Sequence, residues 1–68
     1  MNSGKMVVLS TTFGDRESAE RTAHMLVDAG LAVCAQVGAD LKSFYRWEGE
    51  VRHEIEVAVT FKVLTERF

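Results

Sequence analysis

The run Ser43-Phe44-Tyr45-Arg46-Trp47-Glu48-Gly49-Glu50-Val51, followed by strict alternation from Glu54 to Val63, constrains the fold more than any other stretch. It predicts a long β-hairpin with aromatic residues near its tip, Gly49 standing where a tight reversal needs a residue that tolerates positive φ. Ile55, Val57, Val59, Phe61 and Val63 fall in one phase, and Glu54, Glu56, Thr60 and Lys62 in the other. Period two puts these sets on opposite faces, one dry and one wetter. A hairpin this long in a chain of 68 residues is expected to pack against something besides its own chain.

Residues 1–68 form a single domain by length. A domain of this size buries only about 60% of the surface its unfolded chain exposes, so it needs a supplement to its core. Disulfides, structural metal and oligomerisation are the usual ones. The single cysteine, Cys34, excludes an internal disulfide and a zinc-finger ligand set. Oligomerisation remains. The formal charge is −2, and without a basic cluster no nucleic-acid partner is expected. No apolar run approaches the ~20 residues that span a bilayer, so no membrane partner is expected either. Met1 to Lys5 is too short and polar for a secretory signal, and with a free thiol the expected location is the cytoplasm.

Met6 to Thr12 is apolar and β-branched, which predicts a buried first strand. Phe13-Gly14-Asp15 breaks it. Asp15 is placed to cap a helix running to Ala29, with Glu17 suiting the dipole of its first turn. Ala19, Thr22, Ala23, Leu26 and Val27 share one helical face, and Glu20, Arg21, His24 and Asp28 turn away. Gly30 suits the left-handed C-cap. A second strand is expected from Ala32 to Val37, a bulge at Gly38-Ala39-Asp40, and resumption from Leu41 to Trp47. The third strand is expected from Glu50 or Val51 to about Val63. Thr65 and Glu66 suit the start of another helix.

The order β-α-β-β predicts an α+β fold, the front portion of a ferredoxin-like sandwich whose second helix is only begun and whose last strand is absent. A sheet face without its helix and a strand edge without its neighbour both invite association.

On these residues the chain resembles a known family. Val7-Val8-Leu9-Ser10-Thr11-Thr12, Met25-Leu26-Val27, Leu31-Ala32-Val33-Cys34-Ala35, Tyr45-Arg46-Trp47-Glu48-Gly49, and Glu56-Val57 through Phe61-Lys62 resemble the CutA divalent-cation tolerance proteins. The resemblance implies a ferredoxin-like subunit of a tight homotrimer whose hairpins reach across to neighbours. It also implies a role in tolerance of copper or other divalent cations. A looser similarity to the trimeric nitrogen-regulatory proteins implies, alternatively, small-ligand sensing in signalling. Departures are visible. Glu50 stands where the family usually has Lys, Val63-Leu64 where it has Thr-Thr, and Ser10 where some members carry a candidate copper-binding cysteine. The family's His-Pro-Tyr-Glu stretch has no counterpart among these residues, so no metal site transfers residue by residue.

Candidate chemistry is sparse. Cys34 is either a small hydrophobe in a buried strand or a soft ligand suited to Cu(I), given copies gathered near a symmetry axis. His53, with Arg52, Glu54 and Glu56 nearby in sequence, either holds a divalent ion weakly or joins surface ion pairs. His24 reads as a solvated imidazole. Tyr45 and Trp47, with Glu56 and Lys62 supplying charge, either line a ligand crevice between subunits or anchor the interface. Ser10-Thr11-Thr12 precedes a helix N-terminus, but no Gly-rich loop follows and Asp15 would repel a phosphate. No nucleophile-base-acid spacing is present, and a catalyst is not expected.

Overall fold

The computed structural model describes residues 5–65. Strand β1 (Met6–Phe13), helix α1 (Arg16–Asp28), strand β2 (Cys34–Trp47) and strand β3 (Glu50–Leu64) follow one another along the chain. The sheet is antiparallel throughout, in the order β1-β3-β2. Thr65 already lies beyond β3, and its hydroxyl accepts from the Lys5 amide. The remainder of the helix start expected at Thr65-Glu66 lies outside the described residues.

Helix α1 begins because Asp15, in extended conformation, accepts from the Ser18 amide at 2.7 Å and the Ser18 hydroxyl at 3.0 Å. Those bonds, the backbone one foremost, hold its carboxyl below the usual aspartate range. The folded chain therefore binds that proton less readily than the unfolded one. The cap's contribution is complete above the ordinary aspartate range and is lost as pH falls through the depressed folded value. Acid unfolding followed by circular dichroism should show this directly: Asp15→Ala shrinks the loss of stability across that interval, and an unchanged acid limb would contradict the assignment. At the other end Gly30 has φ 77° and its amide donates to Val27, the left-handed exit expected of a helix C-terminus.

One face of α1 supplies Ala19 and Ala23 to the core, with Leu26 packed at its margin. Small side chains let the helix lie close on the central strand, where Val57, Val59, Phe61 and Val63 are buried. Val59 and Ala19 are wholly inaccessible. Val27, assigned by periodicity to the apolar face, is 40% exposed; it lines an open groove between α1 and Ala35 of β2.

Two expectations of burial need correction. Strand β1 is largely exposed, with Met6 and Val8 at 50% and 58%, because among the described residues it is an edge strand and no element covers its face opposite α1. Ile55 shares the phase of the core valines, yet 51% of it is exposed. One helix of 13 residues spans about 20 Å, less than half the length of the hairpin, so α1 does not reach it. Period two specifies a face; it does not specify what covers that face.

The bulge falls as expected. The register of β2 on β3 shifts between Val37 and Asp40 and then runs unbroken from Asp40↔Val57 to Trp47↔Glu50. The distal hairpin projects from the helix-covered body, giving extents of 52 × 23 × 17 Å and a radius of gyration of 14.9 Å. A compact chain of this length would have about 11 Å.

Glu48 and Gly49 both have positive φ, 50° and 80°, as the tightest hairpin turn requires at its two central positions. For Glu48 this conformation carries a steric cost of about 1–2 kcal/mol. Glu48→Gly is therefore expected to raise stability by about 1 kcal/mol in urea denaturation, offset in part by the added freedom of the unfolded chain. A Cβ at Gly49 would meet nothing within 4 Å, so Gly49→Ala should cost about 1 kcal/mol through the backbone alone. Equal effects of the two substitutions, in the same direction, would contradict this account of the turn.

Candidate functional site

Residues opposite one another in an antiparallel pair share a face. The register therefore sorts every candidate side chain. Lys62 lies opposite Cys34, Glu54 opposite Ser43, Arg52 opposite Tyr45, and Glu50 opposite Trp47. Glu56 has the same parity on β3. Cys34, Tyr45, Trp47, Glu56 and Lys62 thus all belong to the sheet face away from α1. His53 alone belongs to the other face, opposite Phe44, with ring centroids 5.8 Å apart.

The two candidate metal ligands do not meet within a chain. Cys34, half-buried, sits beside Lys62 at the body end. His53 lies near the tip, about 30 Å along β3 from Lys62 at ~3.3 Å per residue, on the opposite face. Among the described residues no group of three or more His, Cys, Asp or Glu side chains is arranged to hold a metal ion. His24 is exposed on α1 and, with Ala23, Val27, Asp28 and Ala35, lines a groove of about 300 Å³ toward β2.

The best-ordered polar arrangement on the open face centres on Glu56. Its Oε2 accepts from Thr12 Oγ1 of β1 at 3.2 Å, and its Oε1 accepts from Ser43 Oγ of β2. One carboxylate from the central strand thereby ties both outer strands through diagonal neighbours. Sequence reasoning singled out Glu56 but missed this use of Thr12 and Ser43. Their signal was their phase: both are hydroxyl residues falling on the face of the even-numbered β3 side chains.

Further toward the tip, Tyr45, Trp47, Arg52 and Glu54 line an open groove of about 360 Å³. Partial burial, then the charge of Glu54 and hydrogen bonding to it, hold the Tyr45 phenol protonated above its usual range, with Glu56 adding to the effect. Arg52 pairs with Glu50 at 3.5 Å. The arrangement is an open groove of two aromatic and two charged side chains, able to bind or to pack. Lys62 lies about 20 Å along the strand from Glu56 and does not join it within one chain. On the helix side, Arg16 binds Asp40 at 2.8 Å and ties α1 to the bulge.

No helix among the described residues is long and apolar enough to cross a membrane. The β-α-β-β order, the sheet order β1-β3-β2 and the projecting hairpin define an α+β chain built on the front part of a ferredoxin-like sandwich. A solved structure with this fold, CutA1 from Shewanella sp. SIB1, superposes with a TM-score of 0.85 at 32% identity, covering 97% of this chain and 62% of the other. The pattern of the CutA1 divalent ion tolerance protein family matches residues 7–68, and the chain belongs to that family. The divalent-cation tolerance proteins CutA of Pyrococcus horikoshii and Thermus thermophilus are 37% and 36% identical to it, over 84% and 90% of this chain. The chain spans 55% and 59% of the lengths of those relatives.

Proposed function

We propose that the chain acts as a homotrimeric, non-catalytic protein of divalent-cation tolerance in the cytoplasm, with copper the favoured ion and the hairpins forming the contacts between copies. The observation that carries the reading is the family match over residues 7–68, which includes the Tyr45-to-Gly49 turn. The bare sheet face supports assembly, because exposed Met6, Val8, Leu41, Tyr45 and Trp47 lie along it. Assembly also bears on metal binding. A lone thiol makes a poor site, whereas symmetry-related copies of Cys34 supply soft ligands from several chains.

The test is equilibrium dialysis of the assembled protein against Cu(I) under reducing conditions, compared with Cys34→Ser and His53→Ala. The expected result is that Cys34→Ser lowers affinity at least about tenfold, the scale of losing one good ligand contact, and that His53→Ala has a smaller effect. Unchanged affinity in both variants would remove the assigned ligands. The groove lined by Tyr45 and Trp47 favours one second reading, a small-molecule-sensing module akin to the nitrogen-regulatory signalling proteins. Saturable quenching of Trp47 fluorescence by a nucleotide, with no copper effect on the protein, would select it.

A further inference from the structure

The C-terminal end of α1 carries two polar side chains that the fold leaves unused. His24 and Asp28 stand four residues apart on the helix, both exposed, and both line the groove of about 300 Å³ that α1 forms with β2. Side chains at that spacing are neighbours on one helical face, with Cβ atoms about 5–6 Å apart. Ala23, Val27 and Ala35 supply the rest of the lining, so the groove is apolar apart from this pair. Among the described residues, no side-chain hydrogen bond or ion pair engages either of them. Asp28 is also the last residue of α1, and the last turn has no basic side chain. A carboxylate there adds to the negative end of the helix dipole, and a cation beside it relieves that charge. Arg21, two turns back, donates to the Ser18 hydroxyl at 3.4 Å, away from that end.

The geometry points to a divalent-cation site on α1, in which His24 and Asp28 chelate one borderline ion, Cu(II) or Zn(II), through an imidazole nitrogen and a carboxylate oxygen, with water completing its shell. The donor set decides the class of ion. Imidazole suits zinc and cupric ions, and a carboxylate adds charge without the softness of a thiolate, whereas the sulfur of Cys34 selects Cu(I). Cys34 does not join the pair: it adjoins Ala35 in sequence, but it belongs to the sheet face away from α1, opposite Lys62. Glu20 is also four residues from His24, yet it lies a turn toward the N-terminus and outside the groove, where the dipole no longer favours a cation. Two protein ligands make an open, water-completed site, unlike the closed four-ligand sets of structural zinc. Such a site does not need a third protein ligand, and among the described residues no group of three is present. Neither residue belongs to the hairpin or to the open sheet face, so the site forms within one chain and is independent of both assembly and the Cys34 reading.

The experiment is a titration of the protein with zinc chloride in a non-coordinating buffer, followed by imidazole proton resonances and by thermal melting. His24 and His53 are the two histidines of the chain, so each resonance reports one position. The His24 signal is expected to shift saturably, and Tm to rise with zinc, because only the folded helix brings the pair together. Asp28→Asn is expected to weaken the His24 response at least about tenfold, the scale of losing one good ligand contact. His24→Ala should remove the larger part of the rise in Tm. Cys34→Ser and Glu20→Gln should leave the His24 response as in the wild type. All these positions except Cys34 are exposed, and circular dichroism confirms that each variant is folded. A His24 resonance unmoved by millimolar zinc, or an Asp28→Asn variant that responds like the wild type, would overturn the site and leave the Cu(I) reading standing. A response weakened as much by Glu20→Gln, or lost in Cys34→Ser, would overturn it equally.

Discussion

Replacing Phe61 by alanine is expected to remove about 3–4 kcal/mol of stability, the usual cost of truncating a buried phenylalanine. Phe61 is 7% exposed on the central strand, flanked directly by Leu9 on β1 and Ala35 on β2. It is the largest side chain of the buried core, whose other buried members are alanines and valines, too short to fill the space it would leave. Folding free energies of domains are only about 5–15 kcal/mol. Urea denaturation at fixed protomer concentration should therefore find the variant near the edge of folding. A loss below about 1 kcal/mol, the scale of a surface substitution, would mean that the packing around Phe61 is not as described.

Trp47→Ala is expected to act on assembly in preference to folding. In the single chain Trp47 is 54% exposed near the hairpin tip, so its truncation removes little intrachain packing. Buried aromatic anchors at interfaces typically carry about 2 kcal/mol or more. That corresponds to roughly a thirtyfold rise in the half-dissociation concentration. Tyr45→Ala, in the same groove, is expected to behave alike. Unchanged self-association in both variants would refute their role as anchors. A fall in helix content would instead place them in the fold of the single chain.

Much of this architecture was readable from the residues. Asp15 and Gly30 bracket the helix because capping chemistry is local, and the alternation from Glu54 to Val63 gave the hairpin and its faces. The bulge was marked by Gly38-Ala39-Asp40 interrupting the strand pattern between Val37 and Leu41. What local pattern could not supply was coverage. Ile55 and Val57 are identical in phase, and only the length and placement of α1 makes one exposed and the other buried. The apolar run Met6 to Thr12 reads as interior, yet edge position and a bare face leave most of it exposed. Positive φ at Glu48 was likewise hidden, since glutamate gives no sign of it; the two-residue length of the loop was the available clue. At the site, the separation of Cys34 from His53 follows from strand register alone, which no spacing in the sequence expresses. The bonds of Thr12 and Ser43 to Glu56 depend on that same register.

Sedimentation velocity of the unmodified protein from nanomolar to high micromolar concentration tests the self-completing sheet most directly. The account predicts a discrete species with three times the 7.6 kDa chain mass, dissociating on dilution with a loss of thermal stability. A single species of one chain mass at every concentration, melting cooperatively at a constant temperature, would contradict it.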